Sequence, residues 1–450
     1  MKAPKTVQRS IDLIRWLLPG LGVKRWLIVA LVGAIILVNG VSRWLTEEGS
    51  NFQINEFVDS IASDFVNPGY LSYIFMALGV ILVALGIWRW LNSIVSAMIP
   101  FGKERMIDAL YATRLKSGYK IVTIGGGTGL STMLRGLKRH TSNLTAVVTV
   151  SDDGGSSGRL QKELGVLPPG DIRNCLVALA DDEALVTDLF RYRFSEGEGL
   201  TGHSFGNLFL AAMTGITGNF DEAIKVSSRV LNIKGRVLPA TLAMSRLCAT
   251  LVDGTVIEGE SNISHSTKPI ADVYLDPPFA APLAEVIEAI RDADAIVLGP
   301  GSLYTSIMPN LLVDRIAREV EAANGVRIYV CNVMTQPGET DSFTASAHVR
   351  TLLERANARV CDVVVVNDQL PHKLRDAYAE EGQLPVEADT AAIEQLGVRV
   401  VRAAVISETQ NVRHDSDKLA AVVIGIIDEA VAARASFVKF RSTPSGAPAT

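Results

Sequence analysis

Cysteine is scarce: four residues in 450, at positions 175, 248, 331 and 361, with no Cys-x-x-Cys pair. That pattern excludes a disulfide-stapled framework and fits free thiols in a reducing compartment. An excess of one charge is also missing. Forty-three basic residues against 48 acidic ones leave a formal charge of -5, so no strong global field draws the chain to nucleic acid. Only 20% of residues are charged while 48% are hydrophobic, which excludes a disordered or solvating polypeptide. The six histidines (140, 203, 265, 348, 372, 414) show no metal-ligand spacing, and neither a Walker lysine nor a Gly-x-Ser-x-Gly elbow is present. There are no internal repeats. At 450 residues the chain has room for more than one folding unit.

What is there begins with two apolar runs. Trp26 to Ser42 holds seventeen residues without a charge, and Leu71 to Trp88 forms the core of a second, longer uncharged stretch between Asp64 and Arg89. At about 1.5 Å per residue the first run reaches roughly 25 Å, just short of a hydrocarbon core of about 30 Å. Flanking Lys24, Arg25 and Arg43 can snorkel, and Trp26 and Trp44 suit the interface. Twenty-five residues precede the first run and no small-x-small site follows it, so it reads as a span rather than a cleaved signal. Lys2, Lys5, Arg9, Arg15, Lys24 and Arg25 precede the first span, Glu47, Glu48, Glu56, Asp59 and Asp64 fill the loop, and Arg89, Lys103 and Arg105 follow the second. The positive-inside rule then places both termini and the main domain in the cytoplasm, on a two-span anchor in the cell membrane.

From Lys120 onward the pattern becomes α/β. Residues 121–124, 144–150, 295–298, 326–330 and 363–366 are short runs rich in β-branched residues, as interior strands of a mainly parallel sheet require. Helix-period stretches at 130–139, 172–180, 205–213, 311–322 and 345–355 separate most of them. The alternation predicts a doubly wound sheet that binds ligands beyond the carboxyl ends of its strands. Asp253-Gly254 predicts a hairpin over 250–258. The expected organisation is a membrane anchor over 1–100, a juxtamembrane linker over 101–119, a ligand-binding domain over 120–433 and a flexible tail over 434–450.

The strand-end loops carry the candidate chemistry. Gly125, Gly126, Gly127, Thr128 and Gly129 follow the first strand and open a helix, where glycines admit an anion to unpaired amides. Leu130 stands where a dinucleotide fingerprint has its third glycine, which weakens a nicotinamide-dependent oxidoreductase reading. After the second strand, Asp152 and Asp153 are placed to hold ribose hydroxyls or a divalent ion. Gly154, Gly155, Ser156 and Ser157 add donors there, and Arg159 can reach a phosphate. In Pro168–Asn174, Asp171 is either a helix cap or a functional carboxylate, while Arg173 and Asn174 sit in the first helical turn. His203, Ser204 and Asn207 open another helix, with a structural role for His203 as the plainer alternative. Gly299, Gly301 and Ser302 form the turn after the strand at 295–298, and Asn332 and Gln336 follow the strand at 326–330. Each loop could be an ordinary turn; their shared position after strands is the stronger argument.

The succession GGGTGLST, SDDGGSSGRL, PPGDIRNCLVALAD, GHSFGNLFLAA, SSRVLNIKGRVLPATL, GPGSLYTS and CNVMTQPGET resembles the YvcK branch of the YvcK/CofD-like family, in order, from about Lys120 to Val412. The two apolar runs lie outside that likeness and resemble membrane-anchored variants. The resemblance implies a Rossmann-like, CofD-like fold, binding of a UDP-sugar or other nucleotide, and a gluconeogenesis-factor role in cell shape and envelope synthesis. It implies a nucleotide-sugar as ligand, with envelope-synthesis proteins or further copies of the chain as partners. It also implies an alternative, a magnesium-dependent 2-phospholactate-type transferase with Asp152 and Asp153 as metal ligands. No catalytic residue is assigned.

Overall fold

A computed structural model describes residues 23–45, 68–98, 113–181, 183–369, 380, 382–408 and 412–442. Two compact units result, Met1–Tyr111 and Ala112–Thr450. The basic residues before 23, the acidic loop at 46–67 and most of the expected linker lie outside the described residues.

In the first unit, helices α1 (Val23–Leu45) and α2 (Pro68–Met98) extend beyond the apolar runs that announced them. Pro68 suits a helix start, where its missing N–H costs nothing. The helices pack antiparallel on small residues. A Cβ on Gly79 would come within 2.7 Å of Leu37, and one on Gly86 within 2.6 Å of Ala30, so side chains at these positions would push the backbones apart. The outer faces are apolar and uncovered. Ile28, Leu31, Ile35 and Val38 are 60–68% exposed, and only 11% of each apolar window, Arg25–Ser42 and Ser72–Ser93, is buried. Both helices are long and apolar enough to cross a membrane.

The second unit is built on seven parallel strands. They are β1 (Ile121–Gly125), β2 (Leu144–Val148), β3 (Arg236–Pro239), β7 (Ala295–Leu298), β8 (Val326–Val330), β9 (Val363–Asn367) and β10 (Arg399–Ala403). Their order is β10-β9-β8-β7-β1-β2-β3. Every residue of β1, β2 and β7 is buried, because helices cover both faces. The two-residue period splits the core: Val122 and Ile124 join one apolar cluster, while Ile121 joins the other. The hairpin expected at 250–258 is present as β4 (Arg246–Leu251) and β5 (Val256–Glu258), and β6 (Ile270–Asp276) completes a separate antiparallel sheet. A two-stranded ribbon, β11 (Ile406–Glu408) and β12 (Val412–His414), follows β10.

Helices α3 (Gly127–Leu137), α4 (Gly155–Leu164), α5 (Gly170–Leu179) and α6 (Phe205–Thr217) follow the strand-end loops. Two expectations need correction. The single helix expected over 311–322 is two, Met308–Leu311 and Ile316–Ala322: the Asp314 amide bonds to the Ala280 carbonyl, and Arg315 turns left-handed at φ 66°. The tail expected from 434 begins as helix, since α7 runs from Ser416 to Ser442. From Arg434 to Thr443 no glycine or proline breaks the sequence before Pro444.

Candidate functional site

The strand order reverses at β1. The chain moves from β1 outward through β2 and β3, then returns to place β7 on the other side of β1. The loops after β1 and β7 therefore diverge at the carboxyl edge and open a crevice between them, the place where doubly wound sheets receive ligands. Gly126 caps α3 with no side chain in the way, and Gly127 adopts φ 66°, a conformation that favours glycine. Across the crevice a side chain at Gly129 would collide with the Pro300 carbonyl, so the two loops touch backbone to backbone. The Gly301 amide donates to Asn332 Oδ1 at 3.3 Å, and Asn332 Nδ2 donates to Gln336 Oε1 at 3.1 Å. Three strand ends are thus tied around one cavity of about 560 Å³, within the range of small-molecule sites.

Gly126, Gly127, Thr128, Gly129, Gly301, Ser302, Asn332 and Gln336 line this cavity, as expected from sequence. Gly125 and Gly299 do not line it; they support it from below. The Gly125 carbonyl accepts from Asn310 Nδ2 at 3.1 Å and from the Thr149 amide at 3.1 Å, and the Gly299 amide donates to Ile124. Leu130, at the missing-glycine position, is fully buried. The walls also carry residues that the strand-end argument missed: Glu260, Ser264, Thr305, Glu339, Arg413 and His414.

Buried carboxylates occupy one side. Glu339 accepts from the hydroxyls of Ser302, Ser264 (3.2 Å) and Thr305 (3.3 Å), while burial pushes its pKa upward against their pull. Glu260 is pushed well above the usual carboxylate range by burial and then by Asp171 and Asp152, and its Oε2 has no partner. Asp171 lies within α5, and its side chain does not cap that helix. It packs against Gly126, and the Gly127 amide bonds to it. Burial first, and Asp152 second, raise its pKa to about 6.

Asp152 and Asp153 each give one oxygen to a backbone amide. Asp152 Oδ1 accepts the Gly154 amide at 3.0 Å, and Asp153 Oδ1 accepts the Ser261 amide at 2.9 Å, tying the loop to the short helix Glu260–Ile263. Among the described residues no three His, Cys, Asp or Glu side chains converge to hold a metal ion. Each aspartate keeps its second carboxylate oxygen outside these two bonds, and magnesium commonly takes only one or two carboxylates, its other ligands being substrate phosphates and waters.

The remaining predicted residues meet in a second network beside the cavity. Ser156 Oγ lies 3.0 Å from His203 Nδ1, and Asn207 Nδ2 donates to Ser156 (3.1 Å) and Ser157 (3.4 Å). Arg173 donates to Ser204 (2.7 Å), Asn207 Oδ1 (3.0 Å) and Asn174 Oδ1 (2.9 Å). Ser204 also caps α6 by accepting the Asn207 amide, a structural duty. Gly154 and Gly155 open α4 with no side-chain cap. Arg159 approaches Gly202, and burial, with Arg159 next, lowers the His203 pKa. The motifs at 151–159, 168–174 and 201–207 are therefore one assembly. Asp171 and Asp152 join it to the cavity.

Residues 121–406 match the family model described as 2-phospho-L-lactate transferase CofD. The chain is similar to the gluconeogenesis factor of Bacillus subtilis, 49% identical over 312 residues that cover 69% of this chain and 98% of the relative. It is 48% identical over 428 residues to a Nostoc protein named "Putative gluconeogenesis factor", covering 93% of this chain and 94% of the other. That alignment extends into the N-terminal unit, whereas the Bacillus alignment is shorter than the α/β unit alone. A crystal structure of a UPF0052 family member from Bacillus halodurans superposes with a TM-score of 0.66 at 45% identity, covering 68% of this chain and 99% of that one.

Proposed function

Because the chain belongs to the CofD family, in its gluconeogenesis-factor branch, we propose that it is a membrane-anchored regulatory protein whose switch-point cavity binds a nucleotide-sugar. The observation that carries this reading is the mixed lining of one cavity. The α3 amides, the Gly301 turn and Arg413, a cation with no ion-pair partner among the described residues, suit phosphate. Glu260, Glu339 and Ser302 in the same lining suit ribose and sugar hydroxyls, which can donate to carboxylates. A bare phosphate has no use for the carboxylates. A nucleotide-sugar uses both sets.

The apolar outer faces of α1 and α2 support anchorage, and the basic flanks support a cytosolic α/β unit. From there the ligand-bound state would signal to envelope synthesis and cell shape during growth on gluconeogenic carbon, through envelope-synthesis proteins or other copies of the chain. The test is calorimetry on the full chain in detergent with UDP-sugars. Saturable binding is expected, and no heat with any uridine nucleotide overturns the reading.

A second reading, transfer of a phosphorus-linked group to a hydroxyl, is favoured by Asp171. A carboxyl with a pKa near 6 can accept the acceptor's proton near neutral pH as the new oxygen–phosphorus bond forms and the old one breaks. Turnover that disappears in Asp171→Asn while UDP-sugar binding persists would establish it.

A further inference from the structure

Three arginines converge beside the cavity on a single turn, Gly202–Ser204. Arg159 Nη2 lies 3.0 Å from where a Gly202 side chain would begin, Arg193 Nη1 donates to the Gly202 carbonyl at 2.5 Å, and Arg173 donates to Ser204 Oγ. Among the described residues none of the three forms an ion pair within 4 Å. Arg159 makes no hydrogen bond there, and the buried Nε of Arg173 also lacks a partner. The nearest acids act at longer range: Glu163 on His203, and Asp171 and Asp152 on Arg173. Like charges held this close repel one another unless something anionic joins them.

The proton pattern of the network points the same way. A guanidinium only donates, so Asn207 must turn Oδ1 to Arg173 and Nδ2 to Ser156. Ser156, which accepts that amide hydrogen, lies 3.0 Å from His203 Nδ1 and either gives it its own hydrogen or accepts from it as well; in both cases His203 brings a ring N–H to the network. The uncapped first turn of α4 adds backbone amides beside Ser156.

We propose that Arg159, Arg173, Arg193 and His203 form a second anion subsite, which takes a phosphoryl group separate from the nucleotide-sugar in the switch-point cavity. The proposal deepens the binding reading above and rests on it for the identity of the first ligand. None of Arg159, Arg173, Arg193 and His203 lines the switch-point cavity, and the carboxylates of Asp152 and Asp171 act on both the cavity's Glu260 and Arg173, so the two subsites are separate. A protein with two such subsites would respond to a nucleotide-sugar and a phosphorylated metabolite together.

The experiment titrates orthophosphate into the full chain in detergent, by calorimetry, with and without saturating UDP-sugar. The expected result is phosphate binding in both conditions, weakened about tenfold in Arg159→Gln and in Arg193→Gln, with UDP-sugar affinity held within about twofold. Unchanged melting temperatures show that both variants are folded. Competition between phosphate and UDP-sugar, indifference to both substitutions, or no phosphate binding overturns the proposal. Arginine-dependent phosphate binding without any UDP-sugar binding would retain the subsite and remove the nucleotide-sugar reading instead.

Discussion

The two units of this chain use the same residues to opposite ends. In the hairpin, leucine, isoleucine and valine face outward, with Val38 68% exposed. In the α/β unit the same types fill β1, β2 and β7, with Ile124 fully buried. Glycine serves close approach in both. In the hairpin Gly79 and Gly86 let two helices touch, and in the sheet unit Gly126 and Gly129 let the loop after β1 close against Asp171 and against the Pro300 carbonyl beside the cavity. On the membrane-anchored reading, what changes between the units is the surrounding medium. Water drives apolar burial around the sheet, whereas in a hydrocarbon medium close packing and satisfied backbone groups are what remain.

That contrast breaks most simply by removing one half of it. Deleting residues 1–111 is expected to move the protein completely from the membrane pellet to the soluble fraction. A truncated protein still sedimenting with membranes after alkaline extraction would contradict the role given to α1 and α2. The glycines sharpen it next. Gly129→Val forces a side chain into the Pro300 carbonyl and should reduce UDP-sugar affinity by roughly 100-fold or more. Gly79→Val should leave that affinity within about twofold while loosening the hairpin, read as faster proteolysis in detergent.

Asp171 offers a smaller effect with a definite sign. Its folded-state pKa of about 6 exceeds the ordinary 3.8, so the folded protein holds this proton more tightly than the unfolded chain. Below pH 4 the group imposes no penalty; as the pH rises toward 6 and beyond, folding loses about 2–3 kcal/mol through it. Asp171→Asn should therefore be more stable than the wild type at pH 7. The difference between their urea-unfolding curves should vanish near pH 3–4; a constant difference across that range would show that the carboxyl is not perturbed. Smallest is Arg413→Gln, expected to weaken UDP-sugar binding about tenfold, near 1.4 kcal/mol, with no change in melting temperature. An unaltered affinity would remove Arg413 from the phosphate-binding set.

Sequence reached the interior of the sheet because runs such as Val363–Val366 have no polar interruption. It missed β3 and β10, whose exposed or half-buried positions at the sheet edges break the apolar signal: Arg236 opens β3, and Arg399 and Arg402 punctuate β10. The same limit governs the site. Gly126–Gly129 and Gly301 were legible because they follow strands, and strand ends of this fold meet at one edge. Glu260 reaches the cavity from the segment that follows the inserted hairpin, Glu339 from a loop already noted for its amides, and Arg413 from a three-residue ribbon past the last sheet strand. No local pattern announces such arrivals, because tertiary folding alone brings them to the cavity. Asp153 shows the converse: an acidic residue at a strand end, placed like a ligand-binding carboxylate, ties one loop to another.

The central claim is that the cavity at the β1–β7 reversal holds a phosphorylated nucleotide. Mass spectrometry of the small molecules released when the full chain, purified in detergent, is denatured tests it most directly. A nucleotide-sugar should be released from the wild type and be absent from Gly129→Val. Release of the same molecule in equal amount from both, or of a ligand carrying no phosphate, would contradict the account.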